Sequence, residues 1–254
     1  MFDAKKEKDR IVGFIRDYYQ KNKLKGAVLG ISGGKDSGVV AGLMCEALGS
    51  ENVVGVTLPC HSKPEDRQDA LLVAEKFDFE MLNIDLTETY EAFKKQIGLL
   101  GDFAEEETHN SDINIKPRLR MSSVYYLAAL LSATRGGTYI VPGTSNACEL
   151  YVGYFTKGGD SVYDIAPIYG LTVEEVIKVG EVLGVPEKVL YRAPDDGLSG
   201  LTDEQKMGVK YADIAKVING EELDETEREK IEDLHRKAAH KFNVPVYKKE
   251  GKCE

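Results

Sequence analysis

The sequence predicts an α/β protein built on a doubly wound parallel sheet with helices on both faces. Three observations predict it. Short apolar runs bounded by turn residues, at Gly26–Ile31, Val53–Leu58, Phe79–Ile84 and Thr138–Pro142, read as strands buried on both sides. Stretches of helical periodicity separate them, the alternation that parallel sheets require. A glycine- and serine-rich turn, Ser32–Ser37, follows the first run, where open sheets of this class bind ligands.

Each element has its own signal. Residues 3–22 read as an amphipathic helix with Ile11, Phe14, Ile15, Tyr18 and Tyr19 on one side. After the first strand, Val39, Val40, Leu43, Met44 and Leu48 recur at helical spacing over residues 36–48. Crossover helices are expected at 65–77 and 86–98, flanking the third strand. Residues 99–113 are polar and acidic and read as a mobile loop. Pro117–Thr134 reads as a long apolar helix leading to the fourth strand, and residues 143–163 as a glycine-rich loop. A helix over 172–183 is closed by Gly184, a common C-terminal signal. Residues 191–201 form another loop. Thr202-Asp-Glu then resembles an N-cap opening a helix to about 218. A charged helix covers 224–241, and the tail to Glu254 is expected to fray.

Composition narrows the function. The chain has 254 residues, 42% of them hydrophobic, with no Gly/Pro/Ser linker or repeat, so 1–254 reads as a single domain. With 33 basic against 43 acidic residues its net charge is -10, which argues against broad phosphate-neutralising contact with nucleic acid. No apolar run approaches the ~20 residues of a membrane span, and the charged N-terminus lacks a secretory h-region. Cys45, Cys60, Cys148 and Cys253 are scattered without a CxxC. Neither a disulfide framework nor a zinc ribbon is expected, and the reading is a cytoplasmic protein with reduced thiols.

Ser32-Gly-Gly-Lys-Asp-Ser37 carries the chemistry. Gly33 and Gly34 allow close backbone approach. Free N–H groups at the following helix start can grip an anion, and Ser32 and Ser37 add hydroxyls. Asp36 would repel a bare phosphate, but it can hold Mg²⁺ bridging phosphate oxygens. The segment is neither a Walker A loop nor a GxGxxG fingerprint.

It resembles the SGGxDS pyrophosphate loop of the N-type ATP pyrophosphatases, which cleave ATP between the α and β phosphates to adenylate a substrate. Four downstream blocks narrow the resemblance. Asn114–Met121 is similar to N-x-x-A-R-x-R-M, Val141–Glu149 contains G-T-x-x-x-x-E, Thr156–Ile168 is similar to T-K-Y-G-D-G-x-x-D-I-x-P-I, and Gly197–Glu204 to G-L-x-x-G-x-T-D-E. In order and spacing these resemble the ammonia-dependent NAD⁺ synthetases over residues 10–245. The resemblance implies a Rossmann-like fold of the adenine nucleotide alpha hydrolase type. It also implies ATP-dependent amidation of deamido-NAD by ammonia through an adenylated carboxylate.

The implied roles are specific. Gly30, Ile31, Ser32, Gly33, Gly34, Lys35, Asp36 and Ser37 would bind ATP, with Thr144 and Thr202 nearby. Asp36 and Glu149 would be the catalytic carboxylates and the Mg²⁺ ligands. Arg118, Lys157, Asp160, Asp164, His240 and Lys241 would bind deamido-NAD, with Arg120 a weaker candidate. A homodimer is implied. No side-chain nucleophile is required, because AMP replaces a poor leaving group. Outside these blocks Glu149 would read as a capping carboxylate, Arg118 as surface charge, the loop aspartates as turn formers and His240 as a surface histidine. There are departures. Val173 stands where Lys is frequent and approaches ATP, Gly158 replaces Tyr, Pro117 replaces Ala, and the late segment is one residue short, with Leu201 for Gln. The nucleotide region begins near residue 26, which leaves no room for a glutaminase domain of roughly 270 residues; a separate glutaminase subunit stays open. Other enzymes with this loop, GMP synthetase-like or tRNA-modifying, and a non-catalytic nucleotide sensor are the alternatives.

Overall fold

The computed structural model describes residues 2–192 and 202–247. The expectations for the loop over 193–201, for Leu201, for Cys253 and for the tail beyond 247 lie outside the described residues.

Four parallel strands run β1 (Leu24–Gly30), β2 (Val53–Thr57), β3 (Glu80–Asn83) and β4 (Thr138–Ile140), in the spatial order β3-β2-β1-β4. β1 pairs β2 in the register Ala27 with Val53 and Gly30 with Val56, and β4 on its other side through Ala27 and Ile140. The order therefore reverses beside β1, which makes its carboxyl end the switch point where a crevice opens.

Helices cover both faces. On one lie α1 (Ala4–Asn22), α2 (Lys35–Leu48), α3 (Pro64–Phe77) and, later in the chain, α7 (Val173–Leu183) and α8 (Glu187–Leu190), packed on Ala27, Leu29 and Ile31. The other face, through Val28, Val54 and Val56, is covered by α4 (Thr87–Gly98) and α5 (Glu105–Arg135). Alternate residues of β1 thus feed opposite cores, as a period of two dictates. A third cluster forms where α6 (Ala147–Val152) meets α10 (Tyr211–Asn219) and α11 (Glu225–Phe242), and includes Cys148, Tyr211 and Ile231. α9 (Asp203–Met207) precedes α10.

Several expectations change. The buried stripe of α1 is Ile11, Val12, Ile15 and Tyr19, and Phe14 faces outward at 50% exposure. Much of the expected loop over 99–113 is helical: α5 begins at Glu105 and runs through Pro117 to Arg135. Glu105, Glu106 and Glu107 stand in its first turn, where the helix dipole favours negative charge. Glu107 also folds back to accept from the Ala104 N–H at 2.9 Å. An acidic, polar run is therefore a helix start here. Residues 143–163 contain α6, opened by Asn146, which accepts from the Cys148 and Glu149 N–H groups. The expected helix from 202 to 218 splits into α9 and α10 at Gly208, whose φ is 72°. The helices expected at 172–183 and 224–241 are observed, N-capped by Thr172 and Asp224.

Candidate functional site

The loop between β1 and α2 is held by its own hydroxyls. Ser32 Oγ and Ser37 Oγ lie 3.0 Å apart, Ser37 Oγ donates to the Gly34 carbonyl at 3.1 Å, and Gly34 N–H donates to Ser32 Oγ at 3.2 Å. Gly33 sits at φ 82°, and a Cβ there would lie 2.4 Å from the Asp66 carbonyl oxygen. Only glycine fits this position. Asp66 and Asp69 of α3 are held in turn by Arg192 at 2.5 and 3.0 Å, and Lys188 pairs with Asp69 at 2.6 Å. These ion pairs tie α8 to the helix that seats the glycine.

No side chain caps α2, whose N-cap is Gly34. The residues at its start, Gly34, Lys35 and Asp36, line a cavity of about 470 Å³ at the switch point. A helix N-terminus without a capping acceptor, backed by a macrodipole, suits phosphate oxygens. Gly30, Ile31, Ser32, Gly34, Lys35 and Asp36 reach this cavity, and Thr144, Glu149 and Asp160 line it from the β4 side. Ser37 and Gly33 brace the loop from behind.

Asp36 and Glu149 meet across the floor. Asp36 Oδ1 accepts from Asn146 Nδ2 at 3.2 Å, and Glu149 Oε2 accepts from the Asn146 backbone N–H at 3.1 Å, so one residue, fully buried, spaces the two acids. Burial and the neighbouring Asp36 push the Glu149 carboxyl well above the ordinary glutamate range. Lys35 donates to Asp36 Oδ2 at 2.7 Å. Burial opposes the Lys35 charge, but the Asp36 and Glu149 carboxylates outweigh it and raise its pKa. The Tyr211 hydroxyl is buried near these acids and has no hydrogen-bond partner among the described residues. A pair of carboxylates suits a hard cation that takes its remaining oxygens from phosphate and water, and no group of three possible metal ligands forms among the described residues.

The wall opposite comes from α5. Arg120 donates to the Leu58 carbonyl at 3.1 Å and to Ser62 Oγ at 3.3 Å. Lys116 is 7% exposed, with its ammonium 5.1 Å from the Tyr90 ring centre, and burial pushes its pKa down. Lys116, Asn146 and Tyr211 were not singled out by the sequence. Asn146 lies within the Gly143–Glu149 block, which is the one signal that could have found it.

Of the other expected site residues, Asp160 lines this cavity, whereas Arg118, Lys157, Asp164, Thr202, His240 and Lys241 lie outside its lining. Arg118 directs Nε and Nη2 to the Lys157 carbonyl, both at 3.2 Å. Lys157 Nζ donates to the His240 carbonyl at 2.9 Å, and Lys241 Nζ donates to the Gly153 and Phe155 carbonyls at 2.6 Å each. The His240 ring donates to the Lys237 carbonyl from Nδ1 at 2.8 Å. Asp164 accepts from Val141 N–H at 2.8 Å and Tyr125 hydroxyl at 3.2 Å, and Asp160 accepts from Thr156 N–H at 2.8 Å. Thr202 caps α9, and its successor Asp203 is the residue that reaches the cavity. Val173 packs against the Tyr211 cluster. Burial raises the Cys148 thiol to about 11 and the Cys45 thiol to about 12, so neither is a nucleophile at neutral pH.

Known proteins match this chain over nearly its whole length. The NAD synthase family model matches residues 7–245. The NH(3)-dependent NAD(+) synthetase of Alkaliphilus metalliredigens is 40% identical over 242 residues, covering 93% of this chain and 95% of that protein. The structure of an NMN synthetase from Francisella tularensis superposes with a TM-score of 0.88 at 33% identity, covering 98% and 99% of the two chains. An NH3-dependent NAD synthetase from Campylobacter jejuni, in complex with nitrate, gives 0.76 at 27% identity, covering 98% and 100%.

Proposed function

The chain belongs to the NAD synthase family, and we propose that the cavity at the end of β1 is where ATP adenylates the nicotinate carboxylate of deamido-NAD. Ammonia then displaces AMP to leave the amide of NAD⁺. The observation that carries this reading is the uncapped N-terminus of α2 facing the same cavity as the Asp36–Glu149 pair.

Each residue's part follows from its chemistry. The α2 N–H groups and the Ser32 hydroxyl hold the β and γ phosphates, with Ser37 bracing the loop behind them, so the α phosphorus is presented to the carboxylate. The carboxylate oxygen bonds to that phosphorus and pyrophosphate leaves. Asp36 and Glu149 would hold Mg²⁺, whose charge, when bound, offsets the charge developing on the phosphates. Asn146 fixes the spacing of the two acids. Thr144 lies on the cavity wall for the nucleotide, and Thr202 orients α9 beside it. No side-chain nucleophile takes part, so positioning supplies much of the rate. Arg118, Lys157, Asp160, Asp164, His240 and Lys241 form the acceptor side, where cations suit the dinucleotide's phosphates.

One observation favours a second reading of the acceptor. The chain superposes more closely on the NMN synthetase than on the Campylobacter jejuni enzyme, 0.88 against 0.76. Nicotinate mononucleotide carries the same carboxylate and would meet the same phosphate loop. Comparing kcat/KM for the two acceptors decides between them. Preference for the dinucleotide supports the first reading, and preference for the mononucleotide the second.

The same proposal includes one domain over 1–254 and a homodimer acting in the cytoplasm on free ammonia. Tyr126 and Leu130, 74% and 46% exposed and one turn apart on α5, support the dimer as an apolar face. No described helix is long and apolar enough to cross a membrane. Sedimentation at micromolar protein tests the dimer.

A further inference from the structure

Both oxygens of Asp36 are engaged. Asn146 Nδ2 donates to Oδ1 at 3.2 Å, and the Lys35 ammonium to Oδ2 at 2.7 Å. Lys35 is 5% exposed, an unusual burial for a lysine at the first position of a helix. Its ammonium lies 5.8 Å from the ring centre of Tyr211, itself 5% exposed, so α10 supplies an aromatic floor beneath the charge. Glu149 and Asp203 are the other acids in its field. The ammonium thus lies against Asp36 with Glu149 in its field, on a side chain almost wholly buried at the edge of the cavity.

We propose that Lys35 is a tethered counter-cation for the Asp36–Glu149 pair, one that metal and nucleotide together displace from Asp36. This rests on the reading of that pair as the metal site. Two carboxylates this close repel, and a buried charge needs a partner. Lys35 holds the pair in place before ligands arrive. A divalent cation entering alone must compete with an ammonium already bonded to Asp36. When it enters with a triphosphate, the phosphate oxygens at the α2 N-terminus give Lys35 a new partner one residue away, and Asp36 Oδ2 is released to the metal. Lys35 therefore makes metal binding dependent on nucleotide, and it is a positioning residue for the carboxylates before it is a phosphate contact.

Direct Mn²⁺ binding, followed by electron paramagnetic resonance of the full chain at constant pH, tests this. Mn²⁺ is the probe because it prefers the same oxygen ligands as Mg²⁺. Without nucleotide, Lys35→Gln should bind Mn²⁺ at least ~10-fold more tightly than wild type, because a like charge a few ångströms away is gone. Lys35→Arg, which keeps the charge, should stay at the wild-type value. Wild type should itself gain at least ~10-fold in Mn²⁺ affinity when a non-hydrolysable ATP analogue is added, a readout that needs no variant to fold. Unchanged or weaker Mn²⁺ binding by Lys35→Gln, or nucleotide-independent Mn²⁺ binding by wild type, would overturn the proposal. None of these readouts requires NAD⁺ formation, so an active enzyme with an unchanged Mn²⁺ profile defeats this inference alone. Absence of NAD⁺ with the expected Mn²⁺ profile defeats only the proposed reaction.

Discussion

Around Ser32–Ser37 the side-chain hydroxyls bond to one another and the backbone donors of α2 stay open to the cavity. Around Arg118, Lys157 and Lys241 the cationic side chains instead donate to backbone carbonyls of neighbouring segments. The first region is a backbone receptor: Gly33 takes the left-handed conformation that the turn requires, and no side chain caps the α2 N-terminus. The second is a set of cross-links stitching α5, the 153–160 loop and α11 together. An anion arriving there must compete with carbonyls for each cation. Open backbone donors thus lie beside cations whose charges serve as structural ties.

Substitutions break the two regions differently. Asp36→Ala removes one carboxylate of the proposed metal pair, and should lower kcat for NAD⁺ formation by ~10³-fold or more while circular dichroism stays native. Gly33→Ala forces a Cβ to within 2.4 Å of the Asp66 carbonyl in a left-handed conformation. It should cost about 2 kcal/mol in urea unfolding and raise the ATP KM more than the acceptor KM. Lys241→Met leaves the Gly153 and Phe155 carbonyls without their ammonium. It should cost ~1–3 kcal/mol and raise the acceptor KM with the ATP KM unchanged; an unmoved acceptor KM would reduce Lys241 to a cross-link.

The smallest effect lies away from both regions. Arg135 at the end of α5 bonds both oxygens of Glu80 on β3 at 2.7 and 2.9 Å, and holds that carboxyl below its ordinary range. A lowered carboxyl contributes stability that is complete above the unfolded-state pKa and lost as pH falls through the folded value. Glu80 is substantially solvent-exposed, so Glu80→Gln should cost under ~1 kcal/mol at neutral pH. The gap to wild type should close below about pH 4, as read from urea midpoints at the two pH values.

Much of the nucleotide half was legible because its information is local. Gly26–Ile31, the SGGKDS turn and the helix after it are contiguous, and each residue type has a backbone reason to be there. The fourth strand and the Thr202 cap were legible for the same reason. What escaped depends on distant partners. The start of α5 reads as loop on polarity alone, whereas the helix dipole favours Glu105–Glu107 in its first turn. The break at Gly208 was hidden by apolar residues continuing on both sides. The Asn146–Asp36 bond, and Tyr211 beneath Lys35, are contacts between residues more than a hundred positions apart, which no spacing rule reports.

The central claim is that this cavity adenylates a carboxylate. Deamido-NAD carrying ¹⁸O in its nicotinate carboxylate, incubated with the enzyme, Mg-ATP and ammonium, tests it most directly. Attack by the carboxylate on the α phosphorus followed by displacement with ammonia must leave one labelled oxygen in AMP, with pyrophosphate unlabelled and NAD⁺ formed in equal amount. Unlabelled AMP, or label in inorganic phosphate, would contradict the account.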